Sequence, residues 1–367
     1  MPDWHMDTKS LFALALERGA SDLHLKAGRP PVLRIHGQIA YVDSATLSAA
    51  EVLELARQIM DERLLGRLRE QGSADFSTVT DDGERFRVNV YRECGRVGLA
   101  ARHVVRQIRT FGELHLPEAI LEKICSVRQG LIIFSGATGS GKSTSIASCI
   151  DFINARRPCH IVTLEDPIEF LFEDREAFIN QREIETDVPS YAAALKALMR
   201  EDPDVVLVGE MRDREAVEGV LRASETTRLV FTTVHAATAG GVVTRLVDMY
   251  PPEERQVLRE SLASNLVAII CQKLLASADV NIGRVPATEI LLATPTVRKM
   301  IREGDEVGLS TLIEADSSAG MCSFTQDLAR LVREEWVDPK EAYEAAPNLE
   351  ALRMAVRGIN VKKGSLR

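Results

Sequence analysis

The run Gly136-Ala137-Thr138-Gly139-Ser140-Gly141-Lys142-Ser143-Thr144 fills every fixed position of G-x-x-x-x-G-K-[ST], a loop that cradles the phosphates of a nucleoside triphosphate. The chemistry explains the residue types. Glycines let the backbone approach the phosphates, and the N–H groups at the start of the following helix carry positive partial charge. Lys142 reaches the β- and γ-phosphates, Ser143 ligates Mg²⁺, and Thr144 supports the α- and β-phosphates. Three more polar groups follow apolar runs: Glu165 after Ile161–Leu164, Gly209-Glu210 after Val205–Val208, and His235 after Leu229–Val234. Phosphoryl transfer needs a carboxylate in the magnesium shell and a group that orients the attacking water. Glu165 is assigned to the water and Glu210 to the metal shell. The two roles are exchangeable, because Gly209 stands where many ATPases carry a metal-binding aspartate.

These groups need a scaffold. Leu131–Ser135 reads as a buried strand and residues 143–153 as a helix, so the glycine loop joins a strand to a helix N-terminus. The apolar runs at 161–164, 205–208 and 229–234 alternate with helical stretches, which predicts a parallel α/β sheet. Ligands bind such a sheet beyond the C-terminal ends of its strands. Past Pro251 the pattern reads as helical, over 253–275, 296–303, 324–334 and 339–346. The first 105 residues read as an α+β unit. It has helices at 6–18 and 49–71, the second capped by Ser48 and Glu51, and strands at 22–25, 32–36, 74–78, 85–91 and 97–105. Residues 106–117 read as a linker. Length alone favours two domains for 367 residues.

Composition excludes several classes. A net charge of −9 argues against a dedicated nucleic-acid binder. No apolar run reaches the ~18 residues that span a bilayer, and the N-terminal residues lack the pattern of a signal peptide, so a cytoplasmic location is expected. The six cysteines form no C-x-x-C pair, which argues against a zinc site.

In order, Gly136–Thr144, Glu165-Asp166-Pro167-Ile168-Glu169, Asn180-Gln181-Arg182-Glu183, residues 202–213 with Glu210, and Thr233-Val234-His235 resemble the phosphate loop, Asp box, linking motif, Walker B segment and His box of secretion-type ATPases. Residues 19–25 look like the opening of the PAS-like domain of those motors. Within the group the chain is most similar to the type IV pilus retraction ATPases. It lacks the long N-terminal extension and the tetracysteine module of assembly motors, and Val297–Glu303 resembles the retraction motif A-I-R-N-L-I-R-E. That motif is kept at both arginines, the second isoleucine and the glutamate, and changed at Thr296, Lys299 and Met300, with Val297 in place of the first isoleucine. Glu225-Thr226-Thr227-Arg228 stands where the group has E-T-G-H.

The resemblance implies a PAS-like domain over residues 1–105, a linker over 106–117, and a RecA-like domain with C-terminal helices over 118–367. It implies a cytoplasmic homohexamer that uses ATP and Mg²⁺. The partners would be the inner-membrane platform protein of a pilus machine and a paralogous retraction ATPase, with no nucleic acid and no membrane span. Closure of the domains over ATP would drive pilus retraction. A pilus assembly or type II secretion ATPase, or an accessory paralogue, is the alternative. Arg87 and Arg102, fifteen residues apart across one hairpin, correspond to arginine fingers of the group. The helix at 297–303 would place Val297, Met300 and Ile301 on one side and Arg298, Arg302 and Glu303 on the other.

Overall fold

The apolar runs of the sequence become strands of two separate sheets in the computed structural model, which describes residues 7–35, 37–104, 107–226, 228–279, 282–315 and 320–358. The chain divides into two units. The first comprises Met1–Arg106 with Glu169–Leu171, and the second Gln107–Ile168 with Phe172–Arg367.

The first unit holds helices α1 (Thr8–Glu17), α2 (Ala49–Arg57) and α3 (Glu62–Gln71). Its strands are β1 (Asp22–Lys26), β2 (Val32–Ile35), β3 (Gln38–Tyr41), β4 (Ser73–Val79), β5 (Arg85–Glu93) and β6 (Arg96–Val104). They form one antiparallel sheet in the order β3-β2-β1-β6-β5-β4. The period-two alternation puts Leu23, Leu25, Leu33, Phe86, Val88, Val90 and Leu99 in a core with Phe12, Val52 and Leu55 of the helices. Residues 49–71, expected as one helix, form two. The Asp61 carboxylate accepts the Leu64 N–H at 2.8 Å and so starts a new helix within the run. The Ser48–Glu51 capping box is present on α2.

The second unit is built on the strands β7 (Gly130–Ser135), β8 (His160–Glu165), β9 (Phe178–Glu183), β10 (Val205–Val208), β11 (Leu229–Val234), β12 (Leu266–Ala276) and β13 (Arg284–Leu292). Their order is β13-β12-β7-β11-β10-β8-β9, parallel throughout except for β13. Its helices are α4 (Glu118–Cys125), α5 (Lys142–Asn154), α6 (Tyr191–Glu201), α7 (Arg214–Glu225), α8 (Ala239–Asp248), α9 (Arg255–Asn265), α10 (Pro295–Glu303), α11 (Glu306–Ala315), α12 (Phe324–Arg333), α13 (Pro339–Ala345) and α14 (Leu349–Val356). Phe111, Leu114 and Leu116, from the stretch read as a linker, are buried in this unit's core.

The expected helix over 253–275 is corrected here. Helix α9 stops at Asn265, and the rest of the run is β12. Residues 268–272 are buried on both faces of the sheet, so the run is apolar without alternation, and such a run has no period to separate helix from strand. β12 pairs in parallel with β7 and antiparallel with β13. A β-hairpin therefore interrupts the C-terminal region read as helical. The edge strands β3 and β9 were also absent from the sequence reading.

The geometry of α10 differs from expectation at one residue. Val297 and Ile301 are fully buried, as the spacing implies. Arg298, however, does not share the free face of the exposed Arg302. Its half-buried guanidinium donates to the carbonyls of Ala293 (3.1 Å), Ser264 (2.8 Å), Leu266 (2.9 Å) and Ala263, and so closes the C-terminal end of α9. Four carbonyls suit a guanidinium, which carries several donors in one rigid fork.

Candidate nucleotide-binding site

β7 is buried over its whole length and leads directly into the glycine loop. Two loop glycines are required by what lies against them. Gly136 has φ +143°, and a Cβ there would come within 2.6 Å of Ser140 Oγ and closer still to the Gln272 carbonyl. Gly141 has φ +89°, and its Cβ would lie 2.8 Å from Gln272 Nε2. Both Gln272 contacts come from β12, so the neighbouring strand shapes the loop. Gln272 is 2% exposed and accepts the Ser145 hydroxyl at 2.9 Å, which ties β12 to α5.

Helix α5 begins after Gly141 with no side-chain cap, leaving its first-turn N–H groups without that partner. The buried Lys142 ammonium donates to the carbonyls of Gly136 (2.9 Å) and Ala137 (3.0 Å). The Ser140 hydroxyl is buried with no hydrogen-bond partner. Uncapped amides, an ammonium on the loop's own carbonyls and an orphan hydroxyl together fit a phosphate chain. Ser143 and Thr144, half-buried, follow in the first turn of α5. A cavity of about 490 Å³ adjoins Gly141 and Thr144, lined also by Arg109, Glu113, Leu274 and Arg284.

The other candidates stand at the C-terminal ends of the parallel strands. Glu165 ends β8 and is 8% exposed; its Oε1 accepts from Thr163 Oγ1 (2.6 Å) and Gln181 Nε2 (3.3 Å). After β10, Gly209 is fixed by packing, since a Cβ would sit 2.7 Å from the Tyr191 hydroxyl. An aspartate there would require the Tyr191 hydroxyl to move aside. Glu210 accepts from Arg212 Nε at 2.7 Å through one oxygen and faces His235 Nε2 at 3.3 Å through the other. His235 Nδ1 lies 3.1 Å from the Gly136 carbonyl. Both partners of the imidazole are acceptors, so both contacts are hydrogen bonds only when the ring carries two protons. Lys142, Gly136, His235 and Glu210 thus form one continuous chain of contacts. Arg212 also reaches Asp166 at 3.5 Å. Burial, with the Asp166, Glu165 and Glu210 carboxylates nearby, pushes the Tyr191 phenol up, so its hydroxyl stays neutral.

Arg87 and Arg102 belong to the first unit. They are exposed and directly opposite each other on β5 and β6. The same row continues through Asp22 on β1 to Arg34 on β2. Arg102 Nε donates to Asp22 Oδ1 at 2.8 Å. Two like charges directly opposite repel one another, which favours an anion between them. Of the Glu225–Arg228 segment, Arg228 is buried and donates to the Thr226 carbonyl and hydroxyl, while Thr227 lies outside the described residues. Among the described residues no cluster of three His, Cys, Asp or Glu side chains could hold a metal ion.

The sequence analysis placed Gln181 in the linking motif and Arg212 in the Walker B segment without giving either a role, and it did not single out Thr163, Tyr191 or Gln272. Arg212 sits two residues after Glu210 and Thr163 two residues before Glu165, so both roles were within reach. Gln272 was hidden by the misread strand. Tyr191 opens a separate helix, and no local pattern joins it to Gly209.

A parallel sheet leading through a glycine loop to an uncapped helix, with carboxylates and a histidine at the same edge, defines a phosphate-loop nucleotide-binding protein. The model of the type II/IV secretion system protein family matches residues 7–318, and the chain belongs to that family. It is 37% identical over 341 residues to the type IV pilus retraction ATPase PilT of Pseudomonas aeruginosa, covering 93% of this chain and 98% of that protein. It is 33% identical to the type IV pilus ATPase PilU of the same organism, over 96% of this chain and 92% of that one. Among solved structures it resembles the pilus retraction motor PilT with bound ADP, with a TM-score of 0.88 and 40% identity, covering 95% of this chain and 99% of that chain.

Proposed function

We propose that this chain is an ATP-hydrolysing motor of type IV pilus retraction that works as a homohexamer on the cytoplasmic side of the inner membrane. The observation that carries the reading is the contact chain from Lys142 through Gly136 and His235 to Glu210. It links the phosphate loop to the carboxylate after the central strands, as a device that senses a terminal phosphate must. Similarity to PilT over nearly the full length of both proteins supports retraction rather than assembly. No helix among the described residues is long and apolar enough to cross a membrane. A hexamer of this kind would engage an inner-membrane platform protein and, as the PilU likeness suggests, a paralogous motor.

In this reading the first unit is PAS-like and the second RecA-like. The loop amides hold the phosphates, and Lys142 leaves its own loop carbonyls for the β- and γ-phosphate oxygens. Magnesium, when bound, neutralises phosphate charge; Ser143 would hold it, with Glu210 behind it through water. Glu165, fixed by Thr163 and Gln181, orients the attacking water. Arg87 and Arg102 supply positive charge to the phosphates once brought to a nucleotide. The nucleoside would occupy the cavity beside Thr144. Deletion of the gene tests the reading. Cells should lose twitching and become hyperpiliated, and purified protein should hydrolyse ATP. Loss of surface pili would instead indicate an assembly motor, and absence of turnover an accessory scaffold.

A further inference from the structure

β13 carries a carboxylate in a stretch that is otherwise apolar or neutral. Glu289, between Thr288 and Ile290, is 6% exposed. Burial pushes its carboxyl up, opposed by the Ala239 amide and the Lys273 ammonium. A buried carboxylate is costly unless it is bonded, and here the bond is specific. Glu289 Oε1 accepts the backbone N–H of Ala239 at 2.8 Å. Ala239 is the first residue of α8, whose N-cap Thr238 already serves the Gly241 N–H. The carboxylate therefore satisfies another first-turn donor and adds negative charge where the helix dipole favours it.

The segment before α8 is His235–Thr238, which leaves β11 at the loop edge of the sheet. Its upstream end is pinned by Ser135, whose single hydroxyl proton faces the Val234 (2.9 Å) and Ala236 (2.8 Å) carbonyls and whose oxygen accepts the Ala236 N–H at 3.0 Å. Its downstream end is pinned by Glu289. The first turn of α8 has little freedom besides, since a Cβ on Gly240 would meet the Glu306 carbonyl at 2.5 Å. Between the two anchors stands His235, with one nitrogen on Gly136 and the other facing Glu210.

We propose that Glu289 is a positioning residue for His235, holding the start of α8 so that the imidazole stays aimed at both the phosphate loop and Glu210. This rests on the reading of His235 as part of an ATP-hydrolysing site. The test compares Glu289→Leu, Glu289→Asp, Glu289→Gln, His235→Ala and the double variant His235→Ala with Glu289→Leu, in full-length protein with ATP. Misplacing a site group by about 1 Å costs roughly 10²-fold in rate, so Glu289→Leu should lower kcat by about 10- to 100-fold with KM for ATP unchanged. Its Tm should also fall, because the buried Ala239 N–H loses its acceptor, and the double variant with His235→Ala separates that loss of stability from the loss of rate. Glu289→Asp keeps the charge but withdraws the acceptor by one methylene, and it should also be slow. Glu289→Gln keeps the acceptor and should restore most of the lost rate. In the His235→Ala background, Glu289→Leu should cause no further loss. Parental kcat in both Glu289→Leu and Glu289→Asp, or losses that simply multiply with His235→Ala, would overturn the proposal. Parental turnover in His235→Ala alone would instead remove the reading on which it rests, and the proposal with it.

Discussion

Replacing Arg298 with alanine should destabilise the second unit, and the size of the effect follows from the carbonyls it leaves behind. The guanidinium serves Ala263, Ser264, Leu266 and Ala293. Ser264 is exposed, so its carbonyl can turn to water, whereas Ala263 and Leu266 are fully buried. Each buried carbonyl left without a partner costs about 1–3 kcal/mol, so the two together give roughly 2–6 kcal/mol. For a unit of this size about 2–4 °C of Tm is lost per kcal/mol, which predicts a fall of roughly 4–24 °C. Arg298→Lys should not recover it, because one ammonium cannot span the four acceptors. Arg302→Ala, at an exposed position, should leave Tm unchanged. Thermal melts followed by circular dichroism on the three variants decide the matter. An Arg298→Ala protein that melts within about 1 °C of the parent would refute the cap, since even one orphaned carbonyl costs more than that. The consequence for function is direct. A retraction defect in Arg298→Ala reports a weakened fold, whereas a defect in Arg302→Ala with normal ATP turnover reports a docking role for α10.

Lys142→Ala should abolish ATP turnover while the protein still folds, and near-normal turnover would sink the phosphate-loop assignment. Glu165→Gln should bind Mg-ATP normally and hydrolyse it slowly, whereas Glu210→Gln should weaken metal-dependent binding; affinity and single-turnover measurements showing the opposite pattern would exchange the two roles. Arg87→Ala and Arg102→Ala should keep nucleotide binding but lose most turnover, up to ~10³-fold if they stabilise transition-state charge, and unchanged rates in both would mark them as ordinary surface residues. Burial raises the Asp22 carboxyl, but hydrogen bonds from Ser21 and Arg102 outweigh it and hold the group below the usual carboxylate range. Its stabilising contribution is therefore present above the unfolded value of about 3.9 and lost as pH falls through the lower folded value, so Asp22→Asn should flatten the acid limb of the first unit's stability. Matching acid profiles for parent and variant would contradict this.

The glycine loop was legible because its chemistry is written in consecutive residues, and the strand and helix beside it carry strong local patterns. The C-terminal ends of β8, β10 and β11 were legible for the same reason, and Glu165, Glu210 and His235 stand there in the structure. The hairpin of β12 and β13 was not. Its strands are buried on both faces, so alternation, the one local sign of a strand, is erased. With β12 went Gln272, although it shapes two loop glycines. The break between α2 and α3 was written at Asp61, a good N-cap, but the apolar spacing running through it masked the signal. Arg298 shows a different limit. Helical periodicity places a side chain on a face but gives no account of a long arginine reaching back to another helix's end.

The position of β7 in its sheet has a mechanical consequence. It lies between β11 and β12, in register with β11 from Gly130 to Ser135 and paired with β12 from Leu131 to Ser135 across a shift in register between Leu266 and Ala268. A strand at an edge can be peeled away one hydrogen bond at a time, but β7 has no edge. A pull along its axis loads both ladders at once, in shear, so many bonds must yield together. A proposed force-generating protein thus seats its phosphate loop on an interior strand that resists creep under tension. Compliance during a working stroke would have to come from other parts of the chain, and the loop would remain a fixed reference against which they move.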